Sequence, residues 1–270
     1  MSKTILVTGS TDGIGLATAK MLVSLGHDVL LHGRNPSRLE GVEKALAALP
    51  GGGQVESYLA DLSLMSNVEA FADEVVAKHT RLDVLINNAG VYNAADPVTR
   101  DGLDVRFAVN TVAPYLLTRR LLPLLGTSGR VVNLSSAAQS PVDPKALAGQ
   151  VSLSDSAAYA QSKLAITMWS REMAVDLEGE GPVIVAVNPG SLLGSKMVKQ
   201  AYGVVGGDIG IGAGILCRAA LDDEFATASG RYFDNDSGRF ASPHPDALDQ
   251  RKSRQIVRAI EELLARTTQN

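Results

Sequence analysis

The sequence holds a single cysteine, Cys217, so no internal disulfide can form, and that residue reads as a small core side chain. None of the four histidines has a second His or Cys at a metal-ligand spacing, so no metal centre is expected. No apolar stretch reaches the ~18 residues of a membrane span. The N-terminal Met-Ser-Lys passes directly into a strand-like run with no signal-peptide cleavage pattern, so a cytoplasmic protein is expected. Excess positive charge is also missing: 25 Lys and Arg face 29 Asp and Glu, a formal charge of -4, and the basic residues are dispersed. That excludes the basic field a nucleic-acid partner requires. Aromatic residues make up only 4%, a low share.

Aliphatic residues are plentiful. With 45% hydrophobic residues and 26 glycines, the composition fits a globular α/β protein and excludes a disordered or collagen-like chain. Short β-branched runs alternate with longer stretches of helical period. Strands are expected at 4–8, 28–32, 55–59, 84–87, 131–134, 183–188 and 231–233. Helices are expected at 14–25, 37–48, 65–78, 102–125, 157–178 and about 245–265. Strands separated by helices run parallel through right-handed crossovers, so the fold class is α/β: a Rossmann-type doubly wound parallel sheet with helices on both faces. Residues 1–270 read as one domain. Pro50 to Gly53 and the glycine-dense stretch Gly203 to Gly214 read as loops within it.

After the first strand comes Thr8-Gly9-Ser10-Thr11-Asp12-Gly13-Ile14-Gly15, a glycine-rich turn that opens a helix. The free N–H groups and positive end of such a helix suit a pyrophosphate, and glycine lets the backbone approach it. The position between first strand and first helix gives this pattern its meaning. An acidic residue at the end of the second strand would bond the ribose hydroxyl of NAD. Here the stretch reads Leu31-His32-Gly33-Arg34-Asn35, with a guanidinium where the carboxylate would stand. A 2′-phosphate is repelled by a carboxylate and held by a guanidinium, so Arg34 argues for NADP(H) over NAD(H). Asp61 follows the third strand, where it could reach an adenine amino group or cap a helix.

Tyr159 and Lys163 lie four residues apart on an expected helix and therefore on one face. A tyrosine with an unperturbed pKa of about 10 needs roughly 4 kcal/mol of help to act near neutrality, and one ammonium at about 4 Å supplies that order at an effective dielectric of ~20.

The glycine turn, Asn87-Asn88-Ala89-Gly90 after the fourth strand and Tyr159-x-x-x-Lys163 occur in fixed order. In this the chain resembles the short-chain dehydrogenase/reductases over nearly its whole length, and the run 102–110 resembles their retinol-dehydrogenase-like branch. The resemblance implies hydride transfer between NADP(H) and a carbonyl or alcohol carbon, without a metal. It makes Tyr159 the acid/base on the substrate oxygen, and Lys163 its activator and a ligand of the nicotinamide ribose. Ser136 orients the substrate oxygen, with Ser135 as the fallback, and Asn110 holds a water in the proton relay. Gly9, Thr11, Asp12, Gly13, Ile14 and Gly15 belong to the cofactor turn. Asn88, Ala89 and Gly90 line the adenosine side, Asp61 and Leu62 the adenine, and Pro189 and Gly190 the nicotinamide turn.

Two departures stand out. Gly194 occupies the place of the family's threonine, with Ser195 one position later, and Tyr159 lies 23 positions after Ser136, farther than in many members. The segment of about 190–215 reads as a substrate lid. Its apolar Leu192, Leu193, Met197, Val198, Tyr202, Val204 and Val205 suggest an apolar aldehyde or ketone. The resemblance favours a homodimer or homotetramer. A cofactor-binding sensor or scaffold without turnover is the alternative from another functional class, and an isomerase or dehydratase on the same scaffold is a further one. Asp234-Asn-Asp-Ser-Gly238 has a superficial likeness to a calcium loop, but Pro245 stands where the bidentate glutamate belongs, and it reads as a turn.

Overall fold

The computed structural model describes residues 1–177 and 179–267, with backbone alone at 200–202. An eight-stranded sheet in the order β3-β2-β1-β4-β5-β6-β7-β8 forms the centre. Its strands are β1 Thr4–Val7, β2 Asp28–Gly33, β3 Val55–Leu59, β4 Val84–Asn87, β5 Arg130–Leu134, β6 Val183–Asn188, β7 Tyr232–Asp234 and β8 Arg239–Ala241. β1 to β7 run parallel, and only β8 pairs antiparallel, onto β7. Alternation along β1 shows how the two layers are filled. Ile5 and Val7 join one core with Leu22, Val29 and Leu216, while Leu6 joins the other with Leu85, Phe107 and Trp169.

The helices are α1 Gly13–Ser24, α2 Pro36–Ala47, α3 Met65–Lys78, α4 Val105–Phe107, α5 Ala113–Leu125, α6 Pro144–Leu147, α7 Asp155–Asp176, α8 Lys196–Tyr202, α9 Ile209–Leu221, α10 Pro245–Leu248 and α11 Gln250–Thr267. The strands at 55–59, 84–87 and 183–188 and the helix at 65–78 fall where the sequence places them. The expected helix 102–125 starts later and is not uniform. Asp104 caps it through Arg106 N–H, and Ala108–Val112 forms a π turn between α4 and α5. The helix expected over 157–178 spans Asp155–Asp176, and Glu178 lies outside the described residues. Two short elements were not anticipated: the one-turn helix α6 before α7, and β8, which pairs with β7 across the turn expected at 234–238.

The lid drawn over 190–215 divides in two. Residues 209–215 open α9, whose Gly212, Ala213 and Ile215 are buried against the sheet and α1. No helix among the described residues is long and apolar enough to cross a membrane. The strand order reverses between β1 and β4, and a crevice opens beyond their C-terminal ends.

Candidate active site

That crevice is a cleft of 420 Å³ whose wall includes Gly9, Thr11, Asp12, Gly13, Ile14 and Gly15 at one side and Tyr159 and Lys163 at the other. The turn after β1 is locked from three directions. Thr8 Oγ1 accepts from Asn88 N–H (3.0 Å) and Ala89 N–H (3.1 Å), and Asn88 Nδ2 donates to the carbonyls of Thr8 (2.8 Å) and Gly9 (3.1 Å). Gly9 has φ +65, and a Cβ there would stand 2.9 Å from Ala89 Cα, so both conformation and space demand glycine. The third tie is His32. Its Nδ1 accepts from Gly9 N–H (3.0 Å), which leaves Nε2 to donate to Ala60 O at 3.1 Å. Burial pushes its pKa down to about 4, so the ring is neutral and fixed in one tautomer. Sequence reasoning passed over His32 because a lone histidine in a strand carries no spacing signal.

At the far end of the cleft, Arg34, Asp61 and Leu62 line the wall beside Ala60 and Gly33. Arg34 is exposed and makes no ion pair or hydrogen bond among the described residues. Asp61 caps no helix. Its Oδ1 accepts from Ser63 N–H (3.0 Å), whereas Met65 N–H at the start of α3 is satisfied by Asp101 Oδ2 (2.9 Å).

α7 is capped by Ser154 and brings Tyr159 and Lys163 to the cleft together. Lys163 Nζ lies 5.7 Å from the centre of the Tyr159 ring and donates to Leu134 O (2.8 Å). Complete burial lowers its pKa to about 8. Tyr92 packs on Tyr159 with ring centres 4.9 Å apart. Arg106, 1% exposed, holds that corner by donating to Tyr92 O (3.3 Å) and pairing with Asp104 (2.6 Å) and Asp155 (2.5 Å). The charged residue inside the apolar pattern Leu103-Asp-Val-Arg-Phe107 was the available signal for Arg106; Tyr92 gave none.

The two serines differ in what they already do. Ser135 is buried and its Oγ is bonded to Lys163 O (3.1 Å), Thr167 Oγ1 (2.7 Å) and Gln139 Nε2 (3.3 Å). Ser136 is half-buried, and its Oγ accepts from Ala138 N–H (3.1 Å). Ser135 is in the cleft wall and Ser136 is not among the lining residues, but only Ser136 keeps its hydroxyl clear of the helix. Asn110 sits in the π turn outside the lining. Its Oδ1 accepts from Val91 N–H (2.8 Å), and its Nδ2 donates to Val91 O and Ser162 Oγ (both 3.0 Å). The side chain is thereby committed to bracing the 90–91 turn against α7.

Beyond β6, Pro189 lines the cleft with Ser195, Lys196 and Met197, while Gly190 is outside the lining. Gly194 has a packing reason: a Cβ there would come within 2.8 Å of Gly207 O, and Gly194 N–H donates to that oxygen (2.7 Å). The lid base is thus a closed ring, and a threonine at 194 would break it. Ser195 Oγ caps α8 by accepting from Val198 N–H (3.2 Å). Lys196 then reaches across the cleft to Asp12 Oδ2 (2.6 Å), which also accepts from Arg38 (3.3 Å). Of the apolar lid residues, Met197 faces the cleft and Leu193 is buried, whereas Leu192, Val204 and Val205 are exposed. The side chain of Tyr202 lies outside the described residues.

A sheet reversing its order at a glycine turn, with a Tyr–Lys pair across the cleft, defines a dinucleotide-binding oxidoreductase fold. The short chain dehydrogenase family model matches residues 3–205. Retinol dehydrogenase 13 of Homo sapiens is 30% identical over 94% of this chain and 82% of its own length. A crystal structure of an uncharacterized protein from Mycobacterium paratuberculosis superposes with a TM-score of 0.80 at 27% identity, covering 97% of this chain and 93% of that one. A metagenomic short-chain oxidoreductase in complex with NADP superposes at 0.65 with 31% identity, over 85% and 96% of the two chains. The chain belongs to the short-chain dehydrogenase/reductase family and is an oxidoreductase acting on CH–OH groups.

Proposed function

We propose that this enzyme interconverts an apolar aldehyde or ketone and its alcohol with NADP(H) as hydride carrier. The carrying observation is the single cleft that joins the glycine turn to Tyr159 and Lys163, with the unpaired Arg34 guanidinium at its ribose end. The fit to NADP(H) rests on those groups: the Ile14 and Gly15 N–H groups in the first turn of α1, beyond the Asp12 cap, for the pyrophosphate, and Arg34 for the 2′-phosphate. No carboxylate stands at the end of β2 to repel that phosphate. A related structure holding NADP supports the same choice. When bound, the cofactor supplies or accepts the hydride.

The remaining chemistry belongs to the chain. Tyr159 gives a proton to the carbonyl oxygen during reduction and takes it back during oxidation. Lys163, held by Leu134 O, lowers the cost of the tyrosinate and stands where the nicotinamide ribose is expected. Ser136 donates to the substrate oxygen and shares its developing charge. Since the Asn110 side chain is committed, a relay water would rest on a backbone carbonyl of the π turn rather than on that amide. Val91, Tyr92, Val109, Leu134 and Met197 give the cleft an apolar wall, and retinol dehydrogenase 13 acts, by its name, on an apolar alcohol. The enzyme works as a homodimer or homotetramer in the cytoplasm.

Oxidation of NADPH, followed by absorbance over a panel of aldehydes and ketones with NADH in parallel, tests this reading. The expected result is turnover that favours NADPH and apolar carbonyl compounds. Preference for small charged keto acids, or equal use of NADH, contradicts it.

A further inference from the structure

The turn 234–238, whose carboxylates have no part in the chemistry above, lies directly against the turn that follows β6. Six hydrogen bonds join the two. Asp236 accepts from Ser191 N–H (2.8 Å), Ser191 Oγ (2.6 Å) and Asn188 Nδ2 (2.8 Å). Asp234 Oδ1 accepts from the same Asn188 amide (2.8 Å). Asn235 donates from its backbone N–H to Asn188 O (3.1 Å) and from Nδ2 to Pro189 O (2.9 Å). Every residue from 188 to 191 except Gly190 is held from outside, and Gly190 N–H is held by Asn188 Oδ1 (3.3 Å).

The clasped turn needs such support. Leu192, the next residue, has φ 50, the one non-glycine with a positive φ among the described residues, and such a conformation is strained and persists only where its surroundings over-determine it. Burial raises the Asp236 pKa, but the hydroxyl and N–H of Ser191 and the Asn188 amide outweigh it and hold the carboxyl below its ordinary value. The carboxylate therefore stays ionised as an acceptor. A bond to an ionised acceptor is about twice as strong as a neutral one.

We infer that Asp236 is a positioning residue: through Ser191 and Asn188 it fixes the Pro189–Gly190 turn in the shape that receives the nicotinamide half of the cofactor. This rests on the cofactor reading given above. Asp236 touches neither substrate nor cofactor. Its effect reaches the cleft through Pro189, which lines it, and through the start of the lid. The adenosine half is assigned to Arg34 and Asp61, which follow β2 and β3 on the other side of the sheet's switch point, and to the 88–90 turn after β4; no hydrogen bond joins any of these to the clasp among the described residues. The inference therefore separates the two halves of one ligand.

The test compares Asp236→Ala with wild type by calorimetric titration of two probes, NADPH and 2′,5′-ADP, the latter lacking the nicotinamide half. The expected result is an NADPH Kd raised about tenfold, a fall in kcat, and a 2′,5′-ADP Kd within about twofold of wild type. Ser191→Ala, which loses the hydroxyl but keeps its N–H, is expected to shift NADPH in the same direction by less. The double variant is expected to be no worse than Asp236→Ala alone, because the hydroxyl has then lost its acceptor. Unchanged NADPH affinity and kcat in Ser191→Ala and Asp236→Ala overturn the inference, as does an equal loss for both probes. If Asp236→Ala does not fold, an unchanged Ser191→Ala overturns it and a selective NADPH loss supports it. A wild-type protein that binds neither probe overturns the cofactor reading itself, and the inference with it.

Discussion

A lysine buried completely inside a protein is a liability to folding, and Lys163 is such a residue. Its folded pKa is about 8, lowered by burial from 10.5. The folded state therefore gives up the proton sooner than the unfolded chain, and the charge costs roughly 3 kcal/mol at pH 7. Stability from this group rises with pH between about 8 and 10.5. The hydrogen bond to Leu134 O offsets part of the cost. Lys163→Met fills similar volume without the charge, and is expected to raise Tm by about 3 °C while abolishing turnover. Differential scanning calorimetry at pH 7 checks this. A Tm lowered by several degrees shows instead that the ammonium is a net structural asset. The same pKa places loss of the Tyr159 activator near pH 8 in the protein without cofactor.

At the scale of elements, the cleft depends on how three strand ends are joined. His32 in β2 links the turn after β1 to the end of β3, and it stacks on Phe71 of α3 at 5.0 Å. As pH falls, the unfolded imidazole takes up its proton near 6.5 while the folded one holds off until about 4. Stability is thus full above 6.5 and declines through that window, by about 2 kcal/mol between pH 7.5 and 5. Urea unfolding at those two pH values is expected to show that loss in wild type and to lack it in His32→Asn. Equal losses in both proteins contradict the assignment. On the opposite side, Lys196 of α8 bridges to Asp12 at the start of α1, so an exposed ion pair straps the lid over the glycine turn. Exposed pairs are worth about 0–1 kcal/mol, which suits a strap that must open.

Which of these elements were legible follows from their packing. The buried parallel strands announce themselves as β-branched runs, and α3 and α7 as periodic patterns between turn signals. α9 was hidden by its own glycines at 210, 212 and 214. Glycine disfavours helix, yet a Cβ on Gly212 would come 2.6 Å from Leu193 Cδ1 and 3.2 Å from Ile14 Cδ1. Close packing, which no local pattern reports, selects glycine there. The π turn around Asn110 was equally hidden, since the pattern 102–125 reads as one helix. Tyr159, Lys163 and the glycine turn stand out because their spacing is visible along the chain, and folding brings them into one cleft. Tyr92, Arg106, Lys196 and Asp236 act through contacts made only on folding.

For the whole molecule, the doubly wound sheet has one consequence above the rest: the glycine turn at 9–15 and Tyr159, far apart along the chain, meet in one cleft. Proximity of this kind turns two separate encounters into one bound geometry. On the proposed roles, the Tyr159 hydroxyl serves proton transfer while the glycine turn, Arg34 and Lys163 serve binding, so removing that hydroxyl alone is expected to separate turnover from affinity. The most direct measurement is NADPH turnover and NADPH affinity in Tyr159→Phe beside wild type, with an accepted carbonyl substrate. The variant is expected to bind NADPH within a few-fold of wild type while kcat falls by about 10²-fold or more. A variant that keeps most of its turnover contradicts the assignment of Tyr159 as the acid.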